Sequence, residues 1–250
     1  MAVIGSKRSA EAAAETVQQR EVKVLSCTDI DAELLVVKDR GHNKNGPVLI
    51  ASYNGDRLAV NLTPGKEWLR APFGLERNSK FAKDEAANGG EGDFETIPIN
   101  LDMPEFTDGE IAARKAIMEI DASAKKQVQA IMPSIQWHDA LRKSDGYDDR
   151  LAPKVVVKAK DLSECTTFHV RPHGKDSVKG RGTDFIKPLL DAHRSFRQAK
   201  VKVAIVLHKI WVNGGKAGIL WRVATLVADL PQKQEIVYQD VFGDNVFDEQ

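Results

Sequence analysis

The segment "VKVAIVLHKIWVNGGKAGILWRVATLVAD", Val201 to Asp229, holds two apolar runs with one tryptophan in each, and Lys209, Lys216 and Arg222 stand close to them. Strand alternation puts Lys209 and Trp211 on one face and His208 and Ile210 on the other, with Arg222 opposite in sense to Trp221. An indole beside cations on a strand surface suits a single-stranded nucleic acid. Bases stack on the ring at ~1–3 kcal/mol each while the cations track the phosphates. The alternative for each ring is burial. Trp221, with Ile219 and Val223 on its face, reads as core. Trp211, next to the turn and to Lys209, fits either role. Lys158 and Lys160 in "KVVVKAK" extend the same argument from charge. The loop "KEWLRAPFGL" repeats the combination, with Lys66 and Arg70 around Trp68 and Phe73. At least one of those two rings reads as a plug closing the end of a barrel, which leaves the other open to binding.

Catalytic patterns are missing. No P-loop, dinucleotide fingerprint, HExxH, CxxC pair or nucleophile elbow occurs. His169 and His173 are separated by Pro172, so they do not share a helical turn, and no Cys or carboxylate stands at ligand spacing. Cys27 and Cys165 are far apart and read as buried thiols. Asp148 and Asp149 read as turn residues. A non-enzymatic chain is therefore expected, with no catalytic residues, no metal and no cofactor.

Charge supports a binding role. The 36 basic and 36 acidic residues cancel, but unevenly along the chain. Residues 1–150 carry 20 basic and 25 acidic side chains, residues 151–228 carry 15 and 5, and residues 229–250 carry 1 and 6. A basic segment followed by an acidic one fits a polyanion-binding surface that carries its own competing anion. A basic solvated face that happens to fall late in the chain fits the same numbers. No apolar run approaches the ~18 residues of a membrane span. The N-terminal "MAVIGSKRSAEAAAETVQQR" lacks an apolar signal core, so an intracellular, soluble protein is expected.

The elements that would hold these residues are mostly strands. Residues 1–20 read as a flexible N-terminal arm. From residue 21 the β-branched runs "EVKVLS", "ELLVVK" and "PVLIASY" alternate with polar turns, and "NGD" leads into "RLAVNL" as a hairpin. Residues 76–95 read as a mobile insertion, and "TIPINLDM" as a strand. Thr107 and Glu110 form a capping box for a helix over about 107–132. Its apolar face is Ile117, Ile120, Ala124, Val128 and Ile131, and Pro133 ends it. "SIQWHDALRK" suggests a short second helix. "KVVVKAK", "TTFHVR", the hairpin and "EIVYQ" read as strands, and "RPHGKDSVKGRG" as a basic loop. This order predicts a mainly β fold with an inserted helix, a small barrel rather than a βαβ sheet, in one domain over 21–239 followed by an acidic tail, 240–250.

Five motifs in order carry a family resemblance: "SYNG" with "LRAPFGL" and "IPINLDM", the helix with "MEIDASAKKQV", Trp137–His138, "KVVVKAK", and "IWVNGGKAGILWRV". Over roughly residues 46–229 the chain resembles the single-stranded DNA-binding proteins of large nucleocytoplasmic DNA viruses, a family related to the replication SSBs of short-tailed phages. The resemblance implies an OB-fold-like five-stranded barrel with extra strands, single-stranded DNA in a groove of aromatic and basic side chains, and no catalysis. It carries Trp211, Lys216, Arg222, Arg70 and Phe73 over as binding residues; Lys209, Lys158 and Lys160 rest on charge alone. It also implies an acidic tail that competes with DNA and docks replication partners. Here that tail would be Asp240, Asp244, Phe247, Asp248 and Glu249, although the chain ends in Gln250 and not in an aromatic residue.

The sequence thus predicts a sequence-nonspecific single-stranded DNA-binding protein of viral replication, recombination or repair. Its expected location is the host nucleus or a cytoplasmic virus factory, or packaged in the virion. Its expected partners are single-stranded DNA, replication proteins through the tail, and further copies of the chain, with no membrane. The rival reading is a non-enzymatic structural or virion-associated interaction protein built on a β-barrel. The two differ in whether the tryptophans lie over a positive groove or are sealed in the core. A duplex-DNA regulator finds little support, because the helix has no helix-turn-helix partner.

Overall fold

A computed structural model describes residues 23–43, 46–75, 96–144, 146–193 and 196–231. The arm 1–20, the insertion 76–95, the run "EIVYQ" and the acidic tail lie outside the described residues.

The chain visits its elements in this order: β1 (Val24–Ser26), β2 (Leu35–Asn43), β3 (Gly46–Tyr53), β4 (Ala59–Asn61), β5 (Leu69–Ala71), β6 (Thr96–Pro98), β7 (Leu101–Asp102), α1 (Asp108–Ile131), β8 (Gln136–His138), β9 (Leu141–Ser144), β10 (Tyr147–Leu151), β11 (Lys154–Val156), β12 (Thr167–Arg171), β13 (Val178–Gly180), α2 (Thr183–Ala192), β14 (Ala199–Asn213) and β15 (Lys216–Asp229). The mainly β architecture with an inserted helix is thus the observed one. Twelve of these strands form one mixed sheet, and β7, β10 and β9 form a second. The path β1-β4-β14-β15-β11-β6 does not close on itself.

The long hairpin β14–β15 is the spine. Gly214 and Gly215 take φ of 55° and 75°, which is what a two-residue turn matched to strand twist requires. On one side β14 pairs antiparallel with β3, β4 and β5. On the other, β15 pairs parallel with β8, β11 and β12. One face of this hairpin is sealed: Val201, Val203, Ile205, Leu207 and Ile210 from β14, with Ile219, Trp221, Val223, Leu226 and Ala228 from β15.

The inserted helix helps to seal it. In α1 the Thr107 Oγ1 accepts from the Glu110 N–H at 3.2 Å and Glu110 returns the bond to the Thr107 N–H at 3.0 Å, so two of the orphan amides of the first turn are satisfied. Ile117, Ile120, Ala124 and Val128 are buried as their spacing predicts, but Ile131 is 36% exposed, since the last residue of the helix has already turned past the core. Gln127 fastens α1 to β2, accepting from the Val37 N–H and donating to the Leu35 carbonyl, both at 2.8 Å.

Several local expectations give way to tertiary pairing. "SIQWHDALRK" forms β8 and β9 instead of a helix, because the Gln136 N–H finds the Gly215 carbonyl at 2.9 Å and β8 then zips along the start of β15. The "NGD" turn forms, with Asn54 and Gly55 at positive φ, but the strands it joins each pair with β14 and not with each other. "TIPINLDM" splits between the two sheets as β6 and β7. The basic loop contains β13, and α2 follows it from Gly182, which offers no side chain to cap the helix.

Candidate nucleic-acid interface

Most residues on the second face of the hairpin are part-exposed or exposed among the described residues. The residues of that face follow from alternation, with two interruptions, one where the pairing skips Ala224 on β15 and one on β14. Between Leu207 and Lys209 the pairing to Trp221 and Leu220 skips a residue, so a bulge sets His208 and Lys209 on the same side. Leu207 and Ile210 stay buried on either side of it. Alternation alone places His208 with Ile210; the bulge corrects this and puts it with the cations.

Register then lines residues up across strands. Arg70, Lys200, Asp229 and Arg171 form one row, from β5 through β14 and β15 to β12. Asp229 is taken up there by the Arg171 guanidinium, with Nε–Oδ1 at 3.1 Å and Nη2–Oδ2 at 2.6 Å. The next outward row is Lys202, Val227, His169 and Lys179. Further along, Val206, Arg222 and Lys154 stand side by side from β14, β15 and β11. Near the turn, Trp211, Gly218 and His138 share a row across β14, β15 and β8, and Lys216 lies opposite Asn213 and Gln136. Ala204, Val206, Leu220 and Val227 are part-exposed and make an apolar floor between the charged groups.

Among the described residues the central cations of this face have no acidic partner. Arg222 is half-buried, and its enclosed Nε finds no hydrogen-bond acceptor among the described residues. Lys154 beside it is half-buried as well, and burial, then the charge of Arg142, pulls its pKa below the usual lysine value. His208 is pushed down to about 4, first by burial and then by Arg222, Arg57 and Lys209. It is therefore a neutral imidazole at neutral pH, held so by burial and three cations.

The four tryptophans separate cleanly. Trp221 is 3% exposed and Trp137 9% exposed, the latter donating its Nε1–H to the buried Asp121 at 3.1 Å. That carboxyl is raised to about 6, mainly by burial and against the Trp137 bond. Trp68 is half-buried beneath the Lys202 ammonium, 5.1 Å from the ring centroid, and Lys202 also donates to the Gly65 carbonyl. Trp211 is half-buried on the open face.

Of the residues singled out from sequence, Trp211, Lys209, Lys216 and Arg222 share the open face, and Arg70 joins it at the far end through Lys200. Phe73 is elsewhere, under the Arg150 guanidinium at 4.6 Å, and Arg150 is paired with Asp102 at 3.4 Å. Lys158 and Lys160 are exposed beyond the end of β11, outside these rows. Asp240, Asp244, Phe247, Asp248 and Glu249 lie outside the described residues. Sequence reasoning misses Lys154, Arg57, His208 and His138. Register brings Lys154 and His138 into the rows, and the bulge turns His208 toward Arg57; none of these placements leaves a local signal. Among the described residues no group of His, Cys, Asp or Glu could hold a metal ion, and no helix is long and apolar enough to cross a membrane.

No family model matches the chain, and no curated protein matches it. Solved structures do. The chain is similar to the single-stranded DNA-binding protein from bacteriophage Enc34 in complex with ssDNA, at 13% identity and a TM-score of 0.34, covering 78% of this chain and 96% of that one. A C-terminal truncation of the phage protein gives 14% identity and a TM-score of 0.34, covering 81% and 99%. A third structure of it gives 15% and 0.35, covering 81% and 96%. At these TM-scores the likeness assigns no residue and no role.

Proposed function

We propose that this chain is a sequence-nonspecific single-stranded DNA-binding protein and that the open face of β14–β15 is its binding surface. One observation carries the reading: half-buried Arg222 and Lys154 lie side by side on a part-exposed sheet face with no carboxylate partner among the described residues. Two adjacent cations without a counter-ion raise the energy of the free protein, and a phosphodiester lying across them would offset that cost. Lys209 and Lys216 extend the track, and Trp211 offers a ring on which a base can stack. With Trp221 and Trp137 sealed, the half-buried Trp211 over a positive surface favours this reading over a purely structural role.

The finer assignment rests on the motif resemblance. In it the chain acts without catalysis in viral DNA replication, recombination or repair, at the host nucleus or a cytoplasmic virus factory. The acidic tail with Asp240, Asp244, Phe247, Asp248 and Glu249 competes for the groove and docks replication proteins.

The test is an anisotropy titration of labelled oligo-dT with the full chain at two salt concentrations, with a matched duplex as competitor. Salt-sensitive binding that the duplex fails to displace supports the reading, with log affinity falling against log salt at a slope of about −0.7 per phosphate neutralised. Absence of binding at low salt, by the full chain and by a chain ending at Gln239, overturns it.

A further inference from the structure

The row nearest the turn has a shape that the cations do not explain. Trp211, Gly218 and His138 come from three different strands and meet at one level of the sheet. The Trp211 and His138 ring centroids are 5.6 Å apart and the planes tilted by 49°, so the two rings form a corner and not a stack. No base fits between them, but a planar group laid on the indole would meet the imidazole as a side wall.

Gly218 makes the corner possible. A Cβ on that residue would stand 2.9 Å from the His138 carbonyl oxygen and 3.0 Å and 3.1 Å from the indole Cζ2 and Cε2. The 2.9 Å contact is closer than a side-chain carbon tolerates and the backbone carbonyl cannot swing away, while the indole would have to shift by a few tenths of an ångström. Gly218 lies within a strand and shows no positive φ, so its backbone conformation gives no reason for glycine. In a strand interior glycine is unfavourable, and it marks a site where another group must come close. Here that group is the indole, drawn down onto the backbone of β15. The ring is thus backed from below by Gly218 and walled by His138, which is exposed. Lys216 and Lys209 flank it on β15 and β14.

We infer that Trp211, His138 and Gly218 form a nucleobase subsite, a two-walled corner that takes one base of a bound strand while the neighbouring lysines hold its phosphates. The inference deepens the proposed function and depends on it. It makes His138 a contact residue for the base and Gly218 a positioning residue that acts through the indole. Stacking on an aromatic face tolerates every base, so the corner adds affinity without strong sequence preference.

The experiment compares oligo-dT with an abasic strand of the same length, which keeps sugar and phosphate but carries no bases. Binding of both is measured by anisotropy for the full chain and for Trp211→Ala, His138→Ala, Gly218→Ala and Lys209→Ala. The preference for oligo-dT over the abasic strand falls roughly tenfold in Trp211→Ala, as expected for one lost stack, and less in His138→Ala. Lys209→Ala weakens binding of both strands alike and keeps the preference. Gly218→Ala behaves as Trp211→Ala and shifts the tryptophan emission. Should it fail to fold, Trp211→Ala and the surface variant His138→Ala carry the test. A parent that binds oligo-dT while Trp211→Ala and His138→Ala keep its full preference overturns the subsite and leaves the proposed function standing. A parent that binds neither strand overturns both.

Discussion

The β14–β15 hairpin shows two faces of one ribbon put to different uses. On the sealed face Trp221 is enclosed among Val223, Ile219 and the core under α1. On the open face, ten residues earlier in the chain, Trp211 lies on Gly218 beside Lys209 and His138. Residue type is the same, and strand geometry is the same. What differs is the company, apolar on one side and cationic on the other. Burial of an indole on the sealed face removes apolar area from water and stabilises the fold. A part-exposed indole among uncompensated cations forgoes much of that gain and keeps a ring available. Stability and recognition have thus been assigned to opposite sides of the same two strands.

The contrast can be broken first at the tryptophans. Trp221→Ala removes a buried ring and should cost ~3–5 kcal/mol of stability, seen as a large drop in the denaturant midpoint. Trp211→Ala should cost clearly less, about 1 kcal/mol, as for a ring that is only half-buried. Equal losses in the two variants would mean that both rings are core.

A second break separates charge from packing. Arg222→Gln with Lys154→Gln should weaken oligo-dT binding by roughly 2 kcal/mol and flatten the salt slope by about 0.7 for each phosphate that is no longer neutralised. Because the two cations lie together with no counter-ion among the described residues, the melting temperature should hold or rise. A drop in melting temperature with an unchanged slope would make them structural.

The smaller effects concern protons. His208 is depressed to about 4 in the fold, so it contributes stability that is complete above the ordinary histidine value near 6.5. That contribution is lost as pH falls from there toward 4, since the unfolded chain then takes the proton more readily. Phosphates bound at Arg222, Arg57 and Lys209 would relieve the repulsion that keeps the imidazole neutral. Affinity for oligo-dT should therefore rise as pH falls from 7 to 5, and His208→Asn should remove that rise, as measured by titration at several pH values. On the sealed side Asp121 is raised to about 6, so its ionised form costs stability that is absent below pH 3.8, grows as pH rises from there and is complete above about 6. Asp121→Asn keeps an acceptor for Trp137 and should stabilise the protein at pH 8 by about 1 kcal/mol or less while having no such effect at pH 4.

How much of this is legible in the sequence depends on whether the signal is local. The capping box of Thr107 and Glu110 names α1, and "NGG" names the hairpin turn, because both are written in a few adjacent residues. Period two separates Trp221 from Arg222 correctly. It fails at His208, where a bulge adds one residue that no local pattern announces. The α2 helix escapes notice because it starts at Gly182 with no capping side chain and carries Pro188 inside. β8 reads as helical because its strand character comes from the edge of β15 and not from its own residues. The Arg222–Lys154 pair and the Trp211–His138 corner bring together residues more than sixty positions apart, which is a matter of register.

Whether a DNA strand lies on the open face of β14–β15 can be read directly by photocrosslinking. An oligonucleotide bearing 5-iodouracil would be bound to the full chain, irradiated, and the modified residues mapped by mass spectrometry. Crosslinks are expected at Trp211 and His138, and excess unlabelled oligo-dT should abolish them. Crosslinks confined to α1 or to the β9–β10 sheet, with none on β8, β14 or β15, would refute that placement of the strand.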